Sequence, residues 1–336
     1  MEAPGGGAKS IHNTYYDIIS VQNLLASWQE FLRGKRKRKD VAEFSVHLMD
    51  EISSLHKELA DKKYKHGTYQ AFKVNDPKPR DIHKASVRDR LLHHAIHRVL
   101  SPYFNAKFIY HSYSSRVGKG THRAIHNFRN FARKVSLNNT RTCWILKCDI
   151  KKFFDNIDHE ILIEVLSRYL SDPGIIELLK TIIYSFSKGP GRGLPLGNLT
   201  SQLFVNIYMN EFDQFIKREL KARYYIRFAD DFVILHEKRQ YLETILPKIS
   251  LFLESKLRLS LHPNKISIKT SVSGVDFLGW VNFPTHRVLR TSTKRRMFRN
   301  IKDKRGDEST IRSYLGMISH GNARGLEREI EELLLK

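Results

Sequence analysis

Cysteine is nearly absent from this 336-residue chain: only Cys143 and Cys148 occur. They fall five residues apart in what reads as one strand, with sulfurs expected on opposite faces, which argues against a disulfide framework and a two-cysteine metal clamp. Long apolar runs are missing as well. Nothing approaches the roughly 18 to 20 residues of a membrane helix, and Met1 to Ser10 carries glycines where a secretory signal has a hydrophobic stretch. A soluble, intracellular protein with no membrane partner is expected. Acidic residues are scarce beside basic ones, 35 Asp and Glu against 58 Lys and Arg, for a formal net charge of +23. A polyanion is therefore the leading partner class. The length allows two or three domains around one cleft, which suits an enzyme as well as a binding module. There is no internal repeat.

Residues 1–20 read as a disordered N-terminus. Helical spacing of apolar residues then runs over Val21 to Arg33 and Val41 to Ala60. The basic run Gly34 to Lys39 between them fits either a solvated loop or a phosphate-contacting one. Tyr69 to Val74 and Lys78 to Ile82, joined by Asn75-Asp76-Pro77, read as a β-hairpin bearing Lys73, Lys78 and Arg80. A helix capped by Ser86 follows. His93 and His97 on it are four residues apart, like metal ligands, but no third ligand is near, and packing or RNA contact is the better reading. Trp144 to Asp149 patterns as a strand and Asp158 to Leu170 as a helix, with a break at Asp172-Pro173-Gly174. The glycine-rich Gly189 to Gly197 leads into a helix capped near Thr200 or Ser201. Tyr224 to Phe228 and Phe232 to Leu235 are apolar strands with Asp230-Asp231 at the turn between them, and the stretch from His286 is basic and helical.

Period-two alternation puts Trp144, Leu146 and Cys148 on one face of their strand and Lys147 and Asp149 on the other. Asp230 and Asp231 interrupt an otherwise apolar hairpin, which folding does not require. Carboxylates about 4 Å apart repel by roughly 4 kcal/mol at an effective dielectric near 20, so a cluster needs protons or cations. Magnesium, a hard cation held by carboxylates and substrate phosphates, is the natural partner, and two such ions can drive an in-line phosphoryl transfer. An Asp-Asp pair in a turn is weak evidence alone, because turns favour Asp. The apolar strands around it and Asp149 at a strand end upstream strengthen the case. Asp155 and Asp158 are rival acids, but both lie beyond the strand and Asp158 reads as a helix cap.

In order and spacing, these motifs resemble reverse transcriptases from about residue 20 onward. Asp149-Ile150-Lys151-Lys152-Phe153-Phe154-Asp155 looks like the first metal-binding motif of the palm, and Phe228-Ala229-Asp230-Asp231 like the family's Tyr/Phe-X-Asp-Asp box. Most intron reverse transcriptases have Gln-Gly before the next loop and Ser-Pro after it. Here Leu196-Gly197-Asn198-Leu199-Thr200-Ser201-Gln202 stands instead. That variant, with Gly274 to Trp280 and Pro284-Thr285-His286, is similar to the reverse transcriptases of diversity-generating retroelements, which copy a template-repeat RNA with errors at adenines.

The resemblance implies an α+β, right-hand polymerase: helix-rich fingers (21–140), a ferredoxin-like antiparallel-sheet palm (141–285) and a small helical thumb (286–336). It implies two Mg2+ ions held by Asp149, Asp230 and Asp231 with the Ile150 backbone, and Lys265 as a proton donor to pyrophosphate, although a surface lysine would look the same. It implies nucleotide contacts from Lys78, Arg80, Arg116, Phe153, Phe154, Leu196, Gly197, Ser201 and Gln202, with Phe154 as the gate against a ribose 2′-hydroxyl. Phe277, Leu278, Gly279 and Trp280 would form the primer grip. The altered loop would relax base discrimination. Implied partners are the template-repeat RNA, the cDNA primer-template, dNTPs and a basic oligomeric accessory protein, in the cytoplasm of a bacterial or phage-infected cell. There is no ribonuclease H signature. The alternatives are another bacterial reverse transcriptase, from a group II intron, a retron or a phage-defence system, and a non-catalytic RNA-binding scaffold of the same fold.

Overall fold

The computed structural model describes residues 14–75, 79–303, 307–322 and 324–334. The chain divides into two compact units, each built from two stretches of sequence: residues 1–108 with 152–211, and residues 109–151 with 212–336.

In the first unit, the helices Val21–Phe31, Leu48–Ala60 and Val87–Lys107 bury the stripes that their spacing defines, among them Leu24, Trp28, Ile52, Leu55, Leu91 and Ile96. The helix expected over Val41 to Ala60 is two helices, Lys39–Val46 and Leu48–Ala60, parted at His47. The break lets Lys39–Val46 pack on Val87–Lys107 while Leu48–Ala60 packs on Tyr15–Ile19 and Val21–Phe31. Strands β1 (Gln70–Val74) and β2 (Arg80–Lys84) form the expected antiparallel hairpin, and β1 is exposed along its whole length. The Ser86 and Asp158 hydroxyl and carboxylate cap their helices as expected, accepting from the Asp89 and Ile161 amides. Asp172-Pro173-Gly174 follows the end of helix His159–Tyr169 and starts the next: the Asp172 carboxylate accepts from the Gly174 and Ile175 amides at the head of Pro173–Tyr184. Proline at a first helical position loses no bond that it would otherwise make.

The second unit carries a four-stranded antiparallel sheet of β3 (Trp144–Asp149), β4 (Tyr224–Phe228), β5 (Asp231–His236) and β6 (Ser267–Thr270), in the order β4-β5-β3-β6. With helix Arg239–Leu257 between β5 and β6, this is the split βαβ arrangement of ferredoxin-like folds. Leu146, Cys148, Phe232 and Ile234 are fully buried on one face, where Arg239–Leu257 packs. On the other, Ile145, Ile226, Val233 and Leu235 join Phe128 and Phe131 of helix Thr121–Val135. A second antiparallel sheet, β7 (Val275–Phe277), β8 (Trp280–Asn282) and β9 (Arg287–Leu289), extends that cluster through Val275 and Phe277. The segment from His286 therefore opens with a strand before it becomes helical. Its helices Thr291–Asp303, Glu308–Ile318 and Arg324–Leu334 close a small core around Trp280 and Leu289, contributing Met297, Ile301, Ile311 and Ile318. Both cysteines are free and buried.

Candidate active site

Antiparallel register brings the carboxylates together. Asp149, the last residue of β3, is the direct partner of Asp231, the first residue of β5. Paired residues of an antiparallel ladder project to the same face, which here also bears Lys147. Phe228 pairs with Asp231, so the hairpin turn is the two residues Ala229 and Asp230. The sequence reading put both aspartates in the turn; Asp231 instead belongs to the strand, because pairing to both β3 and β4 continues through it. Ala229 has φ +55°, a left-handed conformation that two-residue hairpin turns demand and that glycine adopts more cheaply. The Ile150 amide donates to the Asp230 carbonyl at 3.1 Å, which ties the end of β3 to the turn.

Two lysines meet this cluster. Lys265, in the 3₁₀ turn Pro263–Lys265, places Nζ 2.7 Å from Asp149 Oδ1, and the His262 amide donates to the Asp149 carbonyl at 2.8 Å. Lys147 Nζ lies 3.8 Å from Asp231 Oδ2. The other carboxylate oxygen of Asp231, Oδ1, is buried with no hydrogen-bond partner among the described residues. Burial, reinforced by the charges of Asp149, Asp230 and Asp276, pushes the Asp231 carboxyl up to about 7 against the pull of Lys147. A buried acceptor without a donor costs on the order of 1–3 kcal/mol, more when charged. A divalent cation would supply what that oxygen lacks. The donor set, hard carboxylate oxygens and a backbone carbonyl, fits Mg2+. Among the described residues no group of three or more His, Cys, Asp or Glu forms a ready metal cage.

Immediately behind the turn lies a second, different charge cluster. Arg227 of β4 and Asp213 are both fully buried, joined by Nε to Oδ1 and Nη2 to Oδ2 at 2.7 Å each. Tyr225 donates to Asp213 Oδ1 at 2.7 Å. Arg227 also donates to Ser112 Oγ and to the Ala229 carbonyl, both at 3.1 Å. Its backbone pairs with the loop before helix Thr121–Val135, donating to the His111 carbonyl and accepting from the Tyr113 amide, each at 3.0 Å. Arg116 hangs on the same loop, its Nη1 donating to the carbonyls of Ile109 at 2.7 Å and Ser112 at 2.8 Å.

The remaining nucleotide candidates fall in the first unit. Lys78 lies outside the described residues. Arg80 is exposed at the start of β2. The loop from Leu196 to Asn198 lies against that strand: the His83 amide donates to the Leu196 carbonyl at 3.1 Å, and Asn198 Nδ2 to the His83 carbonyl at 2.8 Å. Gly197 has φ +101°, and a Cβ there would come within 2.9 Å of Ile82 Cγ2, so glycine is required by both conformation and space. Ser201 is buried and Gln202 half-buried. The helix that bears them starts at Leu199, two or three residues earlier than caps at Thr200 or Ser201 imply, and the Asn198 carbonyl before it accepts from the Gln202 amide at 3.3 Å. Phe153 is buried, and Phe154 half-buried in the 3₁₀ turn Phe154–Asn156. In the second unit, Leu278 and Gly279 form the two-residue turn of β7–β8, with φ +53° and +85°, flanked by the buried pair Phe277 and Trp280.

Sequence reading did not single out Lys147, Asp213 or Arg227. Alternation put Lys147 on the carboxylate face, a usable signal. Nothing in the pattern pairs Arg227 with Asp213, although a charge inside the apolar run Tyr224 to Phe228 is itself a flag.

Comparison with known proteins places this geometry in context. "Protein YkfC" of Escherichia coli is 27% identical over 247 residues, 62% of this chain and 63% of that protein. The "Group II intron-encoded protein LtrA" of Lactococcus lactis is 24% identical over 296 residues, 67% of this chain and 47% of that one. The chain thus spans less than two thirds of either relative. A telomerase structure from Candida tropicalis, truncated from its C-terminal domain, superposes with a TM-score of 0.52 at 14% identity, covering 68% of this chain and 55% of that one. The likeness is one of fold: an α+β right-hand polymerase with helix-rich fingers, an antiparallel-sheet palm and a small helical thumb. Residues 65–281 match the family described as reverse transcriptase (RNA-dependent DNA polymerase), and the chain belongs to that family.

Proposed function

We propose that the chain is an RNA-directed DNA polymerase that transfers deoxynucleotidyl groups from dNTPs to a primer 3′ end. The observation that carries this reading is the direct pairing of Asp149 with Asp231 beside Asp230, with a buried Asp231 oxygen left without a donor. Asp149, Asp230, Asp231 and the Ile150 carbonyl would hold two Mg2+ ions, which supply activation of the primer hydroxyl and charge neutralisation at the leaving pyrophosphate. The protein's own part is to fix these oxygens on a paired strand end and a two-residue turn rather than on a mobile loop. Lys265, which rests on Asp149, would donate its proton to the leaving pyrophosphate. Arg116, clamped by two carbonyls, would meet the triphosphate, and Arg80, Phe153, Phe154, Leu196, Gly197, Ser201 and Gln202 the nucleotide, with Phe154 excluding a ribose 2′-hydroxyl. Phe277 to Trp280 would steady the primer. Fingers, palm and thumb are assigned to residues 21–140, 141–285 and 286–336. Primer extension on an RNA template with Mg2+, comparing wild type with Asp230→Ala, tests this: extension in wild type and none in the variant is expected, and equal extension by both defeats it.

The finer reading is the reverse transcriptase of a diversity-generating retroelement, acting on a template-repeat RNA with a basic oligomeric accessory protein. Its support is the loop Leu196 to Gln202, whose Leu-Gly and Ser-Gln replace Gln-Gly and Ser-Pro. Likeness to the intron-encoded protein keeps a group II intron enzyme as the second reading. Sequencing the RNA that co-purifies with the chain, and the cDNA made from it, separates them. A template-repeat transcript copied with adenine errors is expected, and an intron RNA would overturn the assignment.

A further inference from the structure

Positive charge in the second unit gathers at the end of the sheet opposite to the carboxylates. In helix Thr121–Val135, His122, His126, Arg129 and Arg133 recur at intervals of four, three and four residues, and so share one face. The opposite face, with Ala124, Phe128, Phe131 and Val135, is buried, and the helix contains no acidic residue. Three concavities adjoin its C-terminal half. One of about 300 Å³ is lined by Arg129 and Arg287, one of about 350 Å³ by Arg133 and Lys134, and one of about 380 Å³ by Lys134, Arg141 and Arg223. The single acid lining any of them, among the described residues, is Glu237.

Register fixes where this belt lies. Trp144, at the start of β3, pairs with His236 and Thr270. His236 lines the largest concavity, and Ser271, whose amide donates to the Cys143 carbonyl, lines the smallest. Asp149 is at the other end of the strand, about 17 Å away at the rise of an extended chain.

What holds these arginines differs from what holds arginines elsewhere. Arg88, Arg90, Arg98, Arg168, Arg239 and Arg312 are all paired with carboxylates. In the belt, Arg287 lies over the Trp280 ring at 5.4 Å and donates to the His320 carbonyl. Arg223 lies over Tyr224 at 5.3 Å, and Arg129 donates to the Thr285 carbonyl at 3.1 Å. None of Arg129, Arg133, Lys134, Arg141, Arg223 or Arg287 has an ion-pair partner among the described residues. Rings and carbonyls orient three of these guanidiniums without neutralising them, which is the state a phosphate recognises. Burial and the nearby charge of Arg129 both lower the Arg287 pKa, and an anion seated between the two would relieve that crowding. A merely solvated face would have no reason to line three concavities that share a single acid, Glu237, among the described residues.

We propose that this belt binds the phosphate backbone of RNA at a site separate from the catalytic carboxylates, so that a folded RNA can be held while another segment of it is copied. In naming RNA rather than DNA the inference rests on the polymerase reading above; the belt itself does not. The test uses the full chain with the triple variant Arg129→Glu, Arg133→Glu, Arg141→Glu. The probe is a fluorescent, blunt-ended RNA hairpin, titrated in the presence of an excess of a short unlabelled RNA-template/DNA-primer duplex. Hairpin affinity is expected to fall at least about tenfold, and the slope of log affinity against log salt to become shallower by about 2 to 3, for three lost phosphate contacts. Extension of the short primer should stay within about twofold of wild type, and the corresponding Arg→Lys variant should keep most hairpin affinity, since the term is electrostatic. Should the reversed chain melt early, single Arg→Gln variants carry the same comparison. Unchanged hairpin affinity overturns the proposal, as does a loss of short-primer extension in step with hairpin binding, which would make the belt part of the substrate track. A wild type that extends nothing yet binds hairpin through the belt sinks the polymerase reading alone.

Discussion

Two charge clusters meet at the β4–β5 hairpin, one through Arg227 of β4 and the other through Asp231 of β5, and they are opposites. Arg227 and Asp213 are fully buried, and Asp213 is bound at both oxygens by Arg227 and again by Tyr225. A few residues on, Asp149 and Asp231 sit side by side with a lysine each, and one Asp231 oxygen is buried without a donor. A charge that the fold has satisfied serves to hold the fold, here the loop of Arg116 and the turn that presents Asp230. A charge left unsatisfied costs stability and persists only if something outside the chain completes it.

Substitutions should separate the two clusters. The largest effect is expected for Asp149→Asn: primer extension falls by about 1,000-fold or more, beyond about 4 kcal/mol of transition-state stabilisation, while the melting curve hardly moves. Asp213→Ala should do the reverse, lowering stability by about 3–5 kcal/mol in urea unfolding because it strands the buried Arg227 charge. Replacing both, Asp213→Leu with Arg227→Met, should cost less than that single change; an additive loss would mean that the pair is no unit.

His93 supplies a neutral buried contrast. Burial, with the nearby His66 charge, lowers its pKa to about 3 from an ordinary 6.5. The unfolded chain therefore binds a proton first as pH falls. Stability from this group is complete above about pH 6.5 and declines below it, by about 2–3 kcal/mol near pH 4.5. Urea midpoints for wild type and His93→Phe should converge as the pH is lowered over that range, and parallel lines would contradict the shift. The smallest effect should be Asp231→Asn, which removes a carboxylate that has one buried oxygen without a donor. In EDTA it should raise stability by about 1 kcal/mol, and added Mg2+ should stabilise wild type but not the variant.

How legible this was in the sequence follows from the range of each interaction. The strand Trp144–Asp149 emerged with its exact limits because alternation is a local signal, and the Ser86 and Asp158 caps because capping spans three residues. The division at His47 was hidden, since both halves are helical and only their different packing partners separate them. Asp231 was misplaced by one position, from turn to strand, because ladder pairing decides where a strand begins. Lys147 was put on the right face without its partner. Arg227 and Asp213 meet across a helix-to-strand connection, and no periodicity couples those two patterns. The basic face of Thr121–Val135 is visible at helical spacing once the helix is known, but only the folded unit shows that its arginines lack carboxylates.

The central claim is that the three aspartates are held close, with one Asp231 oxygen lacking a donor among the described residues, in order to take divalent cations. Its most direct test is Mn2+ binding, followed by electron paramagnetic resonance, to chain carrying primer-template and a non-hydrolysable dNTP analogue. Wild type should take up two ions, and Asp231→Asn and Asp149→Asn should each lose at least one, with unchanged circular dichroism. Equal uptake by all three proteins would contradict the account.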